Sequence, residues 1–223
     1  METYKNELKK AQEYTKYLDD EKCYWHRHFL GLYHSLIEYS DSLICLAENE
    51  KGTGIQTIFR GLLEVYVDLK NLSTDEKYVN YMEAGNSKQL LKYFKEANTN
   101  KNTWLNDFPF SPLEIDAKIQ ELETECTKFK QSNYLIGKDN QPISVRKKFE
   151  KAGMLQEYNS VYWHLCIHSH NNVGALIERL FNRIQPENDE FTLYLGLGCF
   201  YLKNGSYIVH NILKTGYENK FPI

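Results

Sequence analysis

The chain has 223 residues, of which 42% are hydrophobic and 26% charged, with a formal net charge of -3. That length can bury a sizeable core, and the balance is that of a soluble globular protein. The slight negative charge supplies no global basic field to draw in nucleic acid.

Helical periodicity dominates from the N-terminus onward. Residues 1–50 read as one long helix or a pair of helices, with Leu32, Leu36, Tyr39, Leu43 and Leu46 forming a stripe at spacings of three and four. KGTG (Lys51–Gly54) breaks the pattern. A second helix follows over 53–72, with Ile55, Ile58, Leu62, Leu63, Tyr66 and Leu69 facing inward. Ser73, Thr74 and Asp75 offer the cap of a third helix, 74–98, open to interruption near Gly85–Ser87.

The polar stretch 98–112 is a loop that Trp104, Phe108 and Phe110 pin to the body, and Pro112 suits the first turn of the next helix. That helix runs to about residue 131 and is charged enough to keep one face in water. A loop over 133–142 leads to a short helix, 145–152, ended by Gly153. An aromatic helix spans 155–170, and Asn171–Asn172 turn a corner. A helix over 175–184 stops near Pro186. The last segment, 190–217, reads as helix with a turn at Asn204–Gly205, while 193–202 is short, apolar and glycine-bearing enough to compete as a strand.

The expected fold is therefore all-α, a single-domain bundle of seven or eight helices. Within it, 1–50 is the N-terminal helix or pair, 53–184 a core, and 187–223 a helical extension. The seventeen tyrosines read as half-buried helix faces.

Five widely spaced cysteines (Cys23, Cys45, Cys126, Cys166, Cys199) without a CxxC fit reduced thiols better than a disulfide framework. The N-terminal residues lack the apolar run of a secretory signal, and the longest apolar stretch, Phe191–Leu202, is too short to span a bilayer. These features predict a cytoplasmic protein.

Three places can carry chemistry. YWHLCIHSH (Tyr162–His170) holds three histidines and a cysteine. His164 and His168 lie one helical turn apart, so both imidazoles can face one ion. No HExxH or Glu-x-x-His pair accompanies them, so neither a metal site nor a cofactor is expected. Arg27 and His34 have a spacing that resembles the Arg-x4-6-His motif of HEPN nucleases, where a cation holds phosphate and an imidazole moves protons. In those proteins the motif lies in a late helix; here it lies in an early one, and an ordinary exposed face is the simpler reading. Arg60 and Glu64 stand at i and i+4 inside an apolar helix, close enough to pair.

TIFRGLLEVYVDLKNL (Thr57–Leu72) and VYWHLCIHSH (Val161–His170) together resemble a bacterial family of helical proteins of unknown function, DUF5677. Its members carry Arg-(small)-Leu-Leu-Glu in an early apolar helix and Tyr-x-x-x-Ser-x-x-x-His in a later one. The resemblance spans roughly residues 30–180 and includes the stretch Ser144–Tyr158. It assigns Arg60 and Glu64 to the first motif and Tyr162 and His170 to the second, with Cys166 where the family has serine.

Tyr162, Cys166 and His170 share one slowly drifting helix face, so the implied site is a buried Arg60–Glu64–His170 cluster supported by Tyr162 and Cys166. The family brings no activity with it. A non-enzymatic interaction or regulatory module ranks first, with a protein partner or self-association and no membrane. A HEPN-like nuclease or phosphoester hydrolase, acting in stress or phage defence through Arg60, Glu64 and His170, is the alternative. A metalloprotein ranks third.

Overall fold

The structure, a computed structural model, describes residues 1–15, 24–51, 54–99, 111–131, 144–169, 173, 176–177 and 189–219. Among these residues all regular structure is helical. We label the helices α1 (Glu2–Thr15), α2 (Tyr24–Glu48), α3 (Ile55–Thr74), α4 (Tyr78–Asn98), α5 (Pro112–Gln131) and α6 (Val145–Lys151). A continuous run, α7 (residues 155–169), consists of Leu155–Glu157, a π-helical turn at Tyr158–Tyr162 and Trp163–Ser169. The last helix is α8 (Asp189–Asn219). The all-α class and, among the described residues, the eight helices agree with the sequence reading. None of the described helices is long and apolar enough to cross a membrane.

The chain forms two compact units, Met1–Thr74 with Val145–Ile223, and Asp75–Ser144. The second holds the antiparallel-patterned pair α4 and α5, closed on a small core of Phe94, Ile115 and Leu122. Polar links run along its seam: Ser87 Oγ donates to Glu125 at 2.8 Å, Asn98 Nδ2 donates to Asp116 at 2.9 Å, and Lys95 pairs with Glu123 at 2.6 Å. The Ser-Pro-Leu-Glu start of α5 is a capping box. Ser111 N–H and Oγ–H both donate to Glu114 Oε2 at 2.7 Å, and Pro112 takes the first helical position, as its missing N–H allows.

The first unit is organised on α3, which touches α2, α6, α7 and α8. Its inward residues Ile55, Phe59, Leu62, Leu63, Tyr66, Val67, Leu69 and Leu72 are buried. Side chains of this size contribute roughly 1.5–3 kcal/mol each on burial. Of the predicted α2 stripe, Leu36 and Leu43 are buried, whereas Leu32, Tyr39 and Leu46 are half-buried. The buried set is wider, with Phe29, Tyr33 and Ile44 in it, because α2 packs against α1, α3 and α8 rather than one neighbour.

The helix reading of the last segment holds over its competing strand, and two other local expectations change. Residues 193–202 are helix, not strand: Phe191, Tyr194, Tyr201, Leu202 and Val209 recur at helical spacing and are buried. No turn forms at Asn204–Gly205. Asn204 Nδ2 donates back to Phe200 O at 2.8 Å and Ser206 Oγ to Leu202 O at 2.9 Å, which keeps both polar residues inside the helix. Ser73 and Thr74 do not cap the next helix; their hydroxyls donate to Lys70 O at 2.7 Å and Asn71 O at 3.0 Å and finish α3 instead. Helix α4 then starts at Tyr78 and runs unbroken through Gly85–Ser87.

Glycines on α8 explain how it reaches the core. A Cβ on Gly198 would stand 2.7 Å from Tyr4 Oη and 3.2 Å from Leu43 Cδ1. Seven residues on, a Cβ on Gly205 would press into Leu36 Cδ2. The two lie on one helix face, so α8 sits directly on α1 and α2. Aromatic pairs continue this contact onto α3: Phe59 with Tyr194 at 5.2 Å and Tyr66 with Tyr201 at 4.8 Å between ring centroids. Tyr4, Tyr33, Tyr66, Tyr162, Tyr194 and Tyr201 are all buried, further in than half-buried faces would place them.

The loop aromatics Trp104, Phe108 and Phe110, the 133–142 loop, Cys23, the Asn171–Asn172 corner and most of the predicted 175–184 helix lie outside the described residues. Cys45, Cys126, Cys166 and Cys199 are not in disulfides.

Candidate functional site

Polar residues at 60, 64, 68 and 71 form a ridge along helix α3, at steps of four, four and three. The segment 145–169 docks on this ridge. At its lower end Lys148 pairs with Asp68 at 2.9 Å, and the buried Asn71 donates through Nδ2 to Lys148 O at 3.0 Å. Phe149, next in α6, is fully buried. Gly153, at φ +66°, ends α6 in the left-handed region that a side chain would resist.

The helix then resumes as α7, and its π turn carries Tyr158 and Tyr162 as a stacked pair, 5.4 Å between centroids. Phe149 backs Tyr162 at 4.8 Å. A π turn holds one more residue than an α turn, so it rotates everything beyond it relative to an uninterrupted helix. Tyr162 is thereby fixed in a buried position with its hydroxyl on the α3 ridge.

Three hydrogen bonds meet there. Tyr162 Oη donates to Glu64 Oε1 at 2.6 Å, Arg60 Nε donates to the same oxygen at 2.9 Å, and Arg60 Nη2 donates to Tyr162 Oη at 3.3 Å. The guanidinium carbon also lies 5.5 Å from the Tyr162 ring centroid, within cation–π range. Burial pushes the Tyr162 phenol well above its ordinary value, and its bond to the Glu64 carboxylate adds to the shift. Tyr162 therefore donates as a neutral phenol. Burial works against the Arg60 charge, but the bonds to Tyr162 and Glu64 outweigh it and raise its pKa.

This cluster differs from the expected one in two respects. It is not buried as a whole, since the side chains of Arg60 and Glu64 are 24% and 39% exposed. The partner that closes it is Tyr162, expected only as a supporting residue. Among the described residues the charged groups thus form a half-buried clasp rather than a buried cluster. His170, the third expected member, lies outside the described residues, as does the side chain of His168. Cys166, one turn beyond Tyr162, is half-buried and close enough to add to the upward shift of its phenol. Arg27 and His34 both lie exposed on α2. Among the described residues no group of three or more His, Cys, Asp or Glu side chains is placed to hold a metal ion.

The geometry gives each letter of the Arg-(small)-Leu-Leu-Glu motif a task. Arg60 and Glu64 form the clasp, Leu62 and Leu63 are fully buried, and the small residue lies under the Tyr39 side chain of α2. A Cβ on Gly61 would stand 2.6 Å from Cζ of Tyr39. Sequence reasoning missed Asp68 and Asn71. Their signal was the continuation of the polar spacing past Glu64.

The fold and clasp define a class: an all-helical protein in which a π-turn helix is latched to a central helix by an Arg–Glu–Tyr network. The chain belongs to DUF5677, a family of unknown function, whose pattern matches residues 26–191. The match runs from α2 to the start of α8 and includes every residue of the clasp. No curated protein and no solved structure matches the chain.

Proposed function

We propose that this protein is a non-enzymatic interaction module in which Arg60, Glu64 and Tyr162 are a structural latch. The observation that carries this reading is the convergence of both donors on one oxygen of Glu64. A carboxylate engaged in this way is a poor general base, and a neutral, elevated phenol is a poor acid catalyst near neutral pH. Both groups are suited to holding α7 against α3. The exposed Trp163, next to the latched Tyr162, gives α7 an aromatic contact residue of the kind enriched at interfaces.

Thermal unfolding of Glu64→Ala and Tyr162→Phe tests the latch. Both variants are expected to unfold at lower temperature, because removing one member strands its partners. Unchanged or raised midpoints would count against the latch and favour groups retained at a stability cost.

The alternative, phosphoester or RNA cleavage, draws on Arg27 and His34, both open to solvent on α2, and on Arg60, Glu64 and His170. Incubation of purified protein with single-stranded RNA checks it directly. The latch reading expects intact RNA; cleavage lost on His34→Ala or His170→Ala would replace that reading.

A further inference from the structure

Helix α1 precedes the family match, which begins at residue 26, and it is held more lightly than α3. Of its 14 residues only Tyr4, Leu8 and Ala11 are buried, whereas α3 buries residues all along its length. It lies along the seam of α2 and α8 and touches both. Lys5 pairs with Glu48 at the end of α2, Tyr4 Oη stands over Gly198, and the Tyr14 ring meets His210 at 5.7 Å. α1 therefore runs parallel to α8 and antiparallel to α2. Its outer contacts are open to water: the Lys5 and Glu48 side chains are 41% and 46% exposed, and His210 is a surface residue. An ion pair in that setting adds little. What holds α1 is the single face of Tyr4, Leu8 and Ala11.

That face carries a built-in penalty. Tyr4 is 2% exposed, and its hydroxyl makes no hydrogen bond. Ser40 Oγ is a close neighbour, but it lies outside bonding geometry and donates its own proton to Leu36 O at 2.8 Å. Gly198 leaves room for the hydroxyl and offers no side chain to bond it. Buried Tyr33 and Tyr162, by contrast, bond Ser206 Oγ at 2.9 Å and Glu64 Oε1 at 2.6 Å. A hydroxyl stranded in a dry seam gives up its hydration without a return, and regains it when the seam opens. Phenylalanine would fill the same space without that loss. We infer that α1 is a releasable strap: it opens as one unit from the α2–α8 seam while the other helices stay folded, and the Tyr4 hydroxyl is the element that favours release.

Release uncovers a groove whose shape is recorded by the helix that fills it. Gly198 forms its notch and Leu43 its wall, with Leu43 Cδ1 3.2 Å from the place a Gly198 Cβ would take. Opening α1 gives up three buried side chains, whereas opening α3 would break its packing on α2, α6, α7 and α8. The element with the fewest buried contacts opens first, below the free energy of global unfolding. In the closed state α1 masks the groove, so the strap is an intramolecular cover over the α2–α8 seam. The inference goes beyond the latch reading and does not rest on it. α1 carries none of Arg60, Glu64 and Tyr162, so the strap and the latch can fail separately.

Amide hydrogen exchange read by NMR on the full chain, with and without low urea, tests the opening. The amides from Lys5 to Thr15 should share one protection factor, about tenfold or more below that of the buried core of α3. Urea should lower α1 protection with a shallow slope and α3 protection with the full slope of global unfolding, because α1 exposes little surface when it opens. Leu8→Ala should reduce the protection of all these α1 amides by about tenfold or more while α3 stays folded and protected. Tyr4→Phe keeps the ring and removes the stranded hydroxyl, so α1 protection should rise by about fivefold or more. Protection and urea slope equal in α1 and α3 would show global unfolding alone and overturn the strap. Rates graded from residue 5 to residue 15 and indifferent to both variants would show end fraying and overturn it as well. Protection left unchanged or lowered by Tyr4→Phe would overturn the role of the hydroxyl.

Discussion

Gly205→Ala probes the tightest site among the described glycines. On an isolated helix the change is favourable, since alanine is better than glycine by about 0.8–1 kcal/mol. Here the new methyl would lie within 3.0 Å of Leu36 Cδ2, closer than real Cβ atoms come, and 3.4 Å from Leu69 Cδ2. Leu36 and Leu69 are both fully buried, so their side chains can yield only by repacking the core around them. Overpacking of this kind costs about 1–3 kcal/mol, which exceeds the propensity gain and leaves a net loss near 1 kcal/mol. For a chain of this size that lowers the midpoint by about 2–4 °C.

Gly31→Ala is the control: it sits on an exposed face of α2 with nothing within 4 Å, so only the propensity term remains. Its midpoint should rise by about 2–4 °C. Thermal unfolding followed by far-ultraviolet circular dichroism at one scan rate compares the two. A rise for Gly205→Ala equal to that for Gly31→Ala would refute the direct seating of α8 on α2.

Tyr162→Phe keeps the ring packing on Phe149 and removes only the hydroxyl; with Glu64 partly solvated, the loss should be about 1–2 kcal/mol. A double-mutant cycle with Glu64→Gln should return a coupling of about 0.5–1.5 kcal/mol, and additivity would show that the pair does not interact. Phe149→Ala removes the fully buried support of the π-turn tyrosines and should cost about 3–5 kcal/mol, which denaturant titration will register as a lower midpoint at unchanged slope. Stability should also fall at alkaline pH. Burial raises the phenols of Tyr4, Tyr33, Tyr66, Tyr162 and Tyr201 above the ordinary 10.0, so the folded state binds these protons more tightly than the unfolded chain. Their contribution is complete below about pH 10 and declines as pH rises beyond it. Midpoints that stay level across that range would show that these tyrosines are not buried as described.

The polar and apolar spacing of the sequence determined much of this protein by itself. Helical periodicity determined the all-α class, because a 3.6-residue repeat of apolar side chains can be satisfied only by helices. Gly153 and Pro112 marked real helix ends for local backbone reasons. Arg60 and Glu64 were legible as a pair because an i,i+4 contact lies within one helix.

Contacts between helices were not legible in this way. Tyr162 latches to Glu64 across 98 residues of chain, and nothing at either position states that distance-closing partner. The glycines of α8 resembled a turn or a strand because their role is to admit Leu36 and Tyr4 from other helices. Ser73 and Thr74 resembled a cap because the same hydroxyl can serve the start of one helix or the end of another. Local geometry fixed the elements, and side chains arriving from elsewhere decided how close those elements could come and which polar groups met.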